Sequence, residues 1–211
     1  NMHFRTFILR NANLRKQMGI ENLLRFNQSL TTVVLSHISG VEWQEFGRAL
    51  LVNQAHSLQM MDLSNNDIDI KGVESISDGL KIFPHSLQGL NLSNCNLKER
   101  GIGMIFSALE ENFKMSLTLE FLDLSHNRFN EMGTTSLVSW LSKVREFSDL
   151  MKLKLEHTHL DFNPVAPWIR TLPKLQELNV SGNKIDDEGV HLIRVLVDSS
   201  TTLKSLQLNS C

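Results

Sequence analysis

The stretch from Leu87 to Leu97 reads LQGLNLSNCNL, with apolar residues at Leu87, Leu90, Leu92 and Leu97 and a cysteine at Cys95. Its spacing, L-x-x-L-x-L-x-x-N/C-x-L, is that of one short strand running into a turn. The spacing returns along the whole chain. Phe4, Phe7, Leu9 and Leu14 form a first unit, and Leu30, Val33 and Leu35 a second, loose one. Leu58, Met61, Leu63, Asn66 and Ile68 form the third, and Leu119, Leu122, Leu124, Asn127 and Phe129 the fifth. Leu150, Leu153, Leu155, Thr158 and Leu160 are followed by Leu175, Leu178, Val180, Asn183 and Ile185, and then by Leu203, Leu206, Leu208 and Cys211. No single unit of this size buries its own apolar face, so units must stack, each covering the next. With no linker or low-complexity tract, residues 1–211 read as one array of about eight units, the last cut short.

First positions at 4, 30, 58, 87, 119, 150, 175 and 203 advance by 25 to 32 residues. Steps near 28 are long enough for a true helix after each strand. The intervening segments carry apolar residues at helical spacing: Val73, Ile76 and Leu80; Ile102, Ile105, Phe106 and Leu109; Leu137, Trp140, Leu141 and Val144; Val190, Ile193, Val195 and Leu196. A glycine follows the last apolar strand position by four residues at Gly72, Gly101, Gly133 and Gly189, where a helix start can approach its neighbour closely. The sixth unit has Asn163-Pro164 instead, and Pro164 or Pro167 can open a shortened helix. The fold class is α/β: a right-handed leucine-rich-repeat solenoid of the ribonuclease-inhibitor type, strands on the concave face and helices on the convex.

A net charge of −2 and a pI near 6.5 give no general attraction to nucleic acid or to anionic membranes. No apolar run approaches the roughly 20 residues of a membrane span, and the opening NMHFRTFILRNANL lacks the apolar core of a signal peptide. Cys95 and Cys211 occupy the N/C position of units four repeats apart, on the order of 19 Å at about 4.8 Å per strand. That is too far for a disulfide. Two free thiols point to a reducing, cytoplasmic setting. Glycine-rich phosphate loops, paired CxxC motifs and P-loop spacing are absent, so no cofactor and no enzyme activity are expected.

The N/C position reads Ala12, Ile38, Asn66, Cys95, Asn127, Thr158, Asn183, Cys211. Asparagine there can satisfy backbone groups of a buried turn. Ala12 and Ile38 cannot, so the first two turns are expected to be held differently and less firmly.

Positions between the template leucines face the concave surface. One row reads Arg10, Ser36, Ser64, Ser93, Ser125, Glu156, Ser181, Asn209, a polar lining with no histidine and acid grouped around any serine. His126 and His157 hold equivalent positions on adjacent strands, near Glu156, His159 and Asp161, but strand alternation gives poor convergence for a metal. Met60, Phe121 and Met151 are apolar at concave positions, with Phe121 and Met151 expected on neighbouring strands and Asp62, Asp123 and Lys154 as flanking charges. Exposed methionine and aromatic side chains suit a partner-binding anchor. The concave candidates are therefore Met60, Asp62, Phe121, Asp123, His126, Met151, Lys154 and His157. Trp43, Trp140 and Trp168 fall in helical segments and read as packing residues.

From Ile68 to Asn127 the order of details resembles the CARMIL family of actin regulators. The matching stretches are IDIKGVESISDGLKIFPHSLQGLNLSN, with KG opening a helix and FP before the next strand, and LKERGIGMIFSALEENFKMSLTLEFLDLSHN, with its lengthened step. The resemblance implies an architectural, protein-binding platform in a large cytosolic scaffold whose capping-protein motif lies outside the repeats. Two alternatives share the repeat type. One is a GTPase-activating protein for Ran, with Arg10 exposed after the first strand. The other is a ribonuclease-inhibitor or immune-sensor array, for which a more charged concave face and more cysteines are expected.

Overall fold

The computed structural model of the chain describes residues 4–14, 19–52, 57–84 and 87–211. Its strands are β1 (Thr6–Asn13), β2 (Thr32–Ser39), β3 (Met60–Asp62), β4 (Gly89–Asn91), β5 (Phe121–Asp123), β6 (Lys152–Lys154), β7 (Glu177–Asn179) and β8 (Ser205–Gln207). They form one parallel sheet in chain order. Met61, Leu90, Leu122, Leu153, Leu178 and Leu206 stand side by side in register and point inward, all but Leu206 buried. Alternation along each strand then turns the residues before and after that row to the concave face.

Eight helices return the chain: α1 (Ile20–Phe26), α2 (Trp43–Val52), α3 (Ile70–Lys81), α4 (Glu99–Glu111), α5 (Phe113–Thr118), α6 (Asn130–Val144), α7 (Ala166–Ile169) and α8 (Asp187–Ser199). The apolar faces of α3, α4 and α6 are buried as the spacing requires, down to the last turn at Leu80, Leu109 and Val144. In α8 the spacing misleads: Val190 is exposed and only Gly189 and Leu196 are buried, because α8 packs against α7 alone among the described helices. The long step after the fourth unit is taken up by α5, where Asn112 caps the helix and donates to the Leu80 and Phe83 carbonyls. The short sixth unit keeps only the four residues of α7, with Pro167 in its first turn. Trp43 and Trp140 are buried and Trp168 packs partly against the core.

The turns after the strands are held by the asparagine ladder, each member serving the repeat before it. Asn127 Nδ2 donates to the carbonyls of Leu92 (2.8 Å) and Leu124 (3.0 Å), while its Oδ1 accepts from the N–H groups of Cys95 (3.2 Å) and Leu97 (2.9 Å). Asn66 and Asn183 repeat the arrangement. Cys95 copies half of it: its Sγ donates to the Leu63 carbonyl at 3.0 Å, but it has no side-chain oxygen to accept with. Burial pushes this thiol up to about 12, so it stays protonated. Both cysteines are free, Cys95 buried and Cys211 exposed.

The first two turns are held differently, as expected, but not loosely. β1 and β2 run eight residues each and stay paired through Ala12↔Ile38 and Asn13↔Ser39, with Leu14 N–H closing on the Ser39 carbonyl at 2.8 Å. Backbone pairing there replaces the side-chain bonds that alanine and isoleucine cannot make, so weaker hold does not follow from their identity.

Candidate functional site

Four rows of side chains cross the concave face, fixed by the strand register. The first runs Thr32, Met60, Gly89, Phe121, Lys152, Glu177 and Ser205. The residue beside Phe121 is therefore Lys152. Met151 stands one position earlier in its strand, at the place that Glu120 holds in β5, and its Sδ takes a contact from Gln176 Nε2 at 3.5 Å. Alternation takes Met151 out of the concave rows, so the expected Phe121–Met151 pair is not formed. Counting back from Leu122 and Leu153 reveals this in the sequence.

Met60 and Phe121 do meet, across Gly89. A Cβ on Gly89 would sit 2.5 Å from Met60 Sδ and 3.6 Å from Phe121 Cδ1, so the thioether lies in the space that glycine leaves open. On its other side Phe121 carries Lys154, whose Nζ stands 5.8 Å from the ring centroid. Lys152 is paired with Glu177 at 2.8 Å.

The second row runs Asp62, Asn91, Asp123, Lys154, Asn179 and Gln207. Here the side chains also do local work: Oδ1 of Asp62, Asn91, Asp123 and Asn179 each accepts the backbone N–H two residues on, at 2.9 to 3.0 Å. These are Asx turns, and they fix the rotamers of both aspartates. Lys154 breaks the row and is free to lie over Phe121. In the third row Ser36 and Ser64 hydroxyls are 3.2 Å apart, while Ser125 and Ser181 hydroxyls accept backbone N–H groups, which is lining rather than nucleophile chemistry. Arg10 lies exposed on β1 in this row, opposite Ser36.

The fourth row explains the histidines. Asn11, His37, Asn65, Asn94, His126, His157, Gly182 and Ser210 all have φ between 50° and 68°. Every strand thus ends in a left-handed residue, and asparagine, histidine and glycine tolerate that conformation better than most. His126 and His157 stack with ring centroids 5.2 Å apart, His157 lies against Gly182, and its Nε2 is 3.8 Å from Glu156. Among the described residues no three His, Cys, Asp or Glu side chains are grouped to hold a metal. A cleft of about 510 Å³ opens beyond His126, at the starts of α4 and α6, lined by Lys98, Arg100 and Arg128 among others.

Models of the leucine-rich repeat match residues 54–77, 86–110, 118–144 and 171–193. The chain is a leucine-rich-repeat protein. This leucine-rich-repeat chain is similar to protein CARMIL of Dictyostelium discoideum, 29% identical over 216 residues that cover 99% of the chain and 20% of the relative. It is similar to the Rho GTPase-activating protein gacW of the same organism, 29% identical over 63% of the chain and 11% of the relative. It is also similar to the ribonuclease inhibitor of Sus scrofa, 33% identical over 74% of the chain and 34% of the relative. The chain thus spans between about a tenth and a third of the length of these relatives. Among solved structures an internalin of Listeria monocytogenes shares the fold, with a TM-score of 0.58 and 14% identity over 90% of the chain and 51% of the internalin. No described helix is long and apolar enough to cross a membrane.

Proposed function

We propose that this array is a non-catalytic protein-binding scaffold, working in the cytoplasm in the regulation of actin assembly and engaging its partner through the concave face around Phe121. The observation that carries the binding reading is the cluster of Met60, Gly89 and Phe121 on the strand side, an apolar surface bordered by Asp62, Asp123 and Lys154. The actin role is supported by the similarity to protein CARMIL along 99% of the chain. Other exposed apolar side chains, such as Ile82 and Phe147, follow the last turn of separate helices and have no such charged border described around a shared floor. Isolated exposure of that kind is ordinary.

The test is affinity capture on the immobilised chain from cytosolic extract, comparing Phe121→Ala with Ile82→Ser. Actin-network proteins are expected on the wild type and on Ile82→Ser and lost from Phe121→Ala. Equal capture by Phe121→Ala would move the site off the concave face. Accelerated GTP hydrolysis on adding the chain to a small GTPase would overturn the scaffold reading.

A further inference from the structure

Gly89 is the one member of its row, among the strands from β2 to β8, that offers no side chain. Strands lie about 4.8 Å apart, so the backbones carrying Met60 and Phe121 are on the order of 10 Å apart with only the buried Gly89 backbone between them. The result is a slot with a backbone floor, a ring for one wall and a thioether for the other. Met60 leans into it, with Sδ 2.5 Å and Cε 2.8 Å from where a Cβ would stand. A methionine side chain has three rotatable bonds and gives way to an incoming group at little cost.

The charges bordering the slot are not balanced. Two residues along the strands, about 7 Å away, Asp62 and Asp123 flank Asn91. Each has Oδ1 held by a backbone N–H and Oδ2 left over, and neither forms an ion pair among the described residues. Lys152 is neutralised by Glu177, and Lys154, though in register with Asp123, lies over the Phe121 ring. Two immobilised carboxylates therefore face solvent beside an apolar slot.

We infer that the slot over Gly89 takes a large apolar side chain of a partner polypeptide whose neighbouring Lys or Arg is held between Asp62 and Asp123. This rests on the concave-face reading above and adds the chemistry of the partner. In an extended segment, side chains two residues apart share a face at about 7 Å, which matches the separation of slot and carboxylates.

The probe is a phage-displayed library of random linear peptides selected on the immobilised chain, with the selected sequences synthesised and titrated by fluorescence anisotropy. Enriched peptides are expected to carry Phe, Leu, Ile, Met or Trp two positions from Arg or Lys. Gly89→Leu fills the slot and should weaken them at least tenfold. Asp62→Asn with Asp123→Asn should weaken them about fivefold or more and flatten their salt dependence, while keeping the turn acceptor as Asn91 and Asn179 do. Circular dichroism melts check that both variants are folded, and Gly89→Ala, whose new Cβ meets only the mobile end of Met60 and the edge of Phe121, serves as the milder version.

Selection of no peptide, or of acidic ones, overturns the inference. So does a dimer of the chain that Gly89→Leu abolishes in sedimentation, because the slot is then filled by a second copy. Peptides that lose binding in Phe121→Ala but ignore Gly89→Leu and the asparagine pair overturn the slot and leave the concave-face reading standing. Slot-dependent peptides together with no captured actin-network protein support the slot and remove the actin role.

Discussion

At Asn127 one side chain closes four backbone groups in two consecutive repeats, which is why a single ladder position matters more than its size suggests. Asn127→Ala leaves those groups buried without partners, and at about 1–3 kcal/mol for an unsatisfied group, partly relieved by relaxation, a loss of about 2–4 kcal/mol is expected in urea unfolding. Cys95→Asn should go the other way, by up to about 1 kcal/mol, since Ile68 N–H now reaches only the Cys95 backbone carbonyl at 3.3 Å. The ladder was legible because Asn66, Asn127 and Asn183 fall at a fixed offset from leucines. The left-handed row was not recognised, although His37, Asn65, Asn94, His126, His157 and Gly182 carry its signal in their residue types. Reading His126 and His157 as candidate site residues missed the backbone geometry that selects histidine there.

Between elements, close packing sets different limits on the two faces of the array. α2 and α3 touch at Gly47, where a Cβ would stand 2.3 Å from the Ser75 carbonyl carbon and 2.5 Å from Ile76 N. Gly47→Ala must therefore push two helices apart, at about 1–3 kcal/mol by chemical denaturation, whereas Gly89→Ala should leave the unfolding midpoint nearly unchanged. Strand centres could be read directly from the leucines, as could the abbreviated α7 from Pro164 and Pro167. The length of β1 and β2 could not, because it follows from what Ala12 and Ile38 fail to do in the turn. The Phe121–Met151 pair failed for a simpler reason: a side chain's face changes with every residue along a strand, and Met151 is one residue out of register.

Across the whole molecule, the units contact chiefly their neighbours, so the array behaves as a stack whose concave wall is rigid at its centre. Met61, Leu90, Leu122 and Leu153 are fully buried beneath that wall, which holds Met60, Gly89, Phe121 and Lys152 in fixed relation for a partner to read. The architecture was visible in eight returns of one spacing, but the binding surface depends on residues the template leaves free. The decisive measurement is the hydrogen-exchange footprint of a captured partner on the 211-residue chain. Slowed exchange confined to the strands around Met60–Asp62, Gly89–Asn91, Phe121–Asp123 and Lys152–Lys154 is the result predicted; slowed exchange on α3, α4 and α6 with those strands unchanged would contradict a concave binding site.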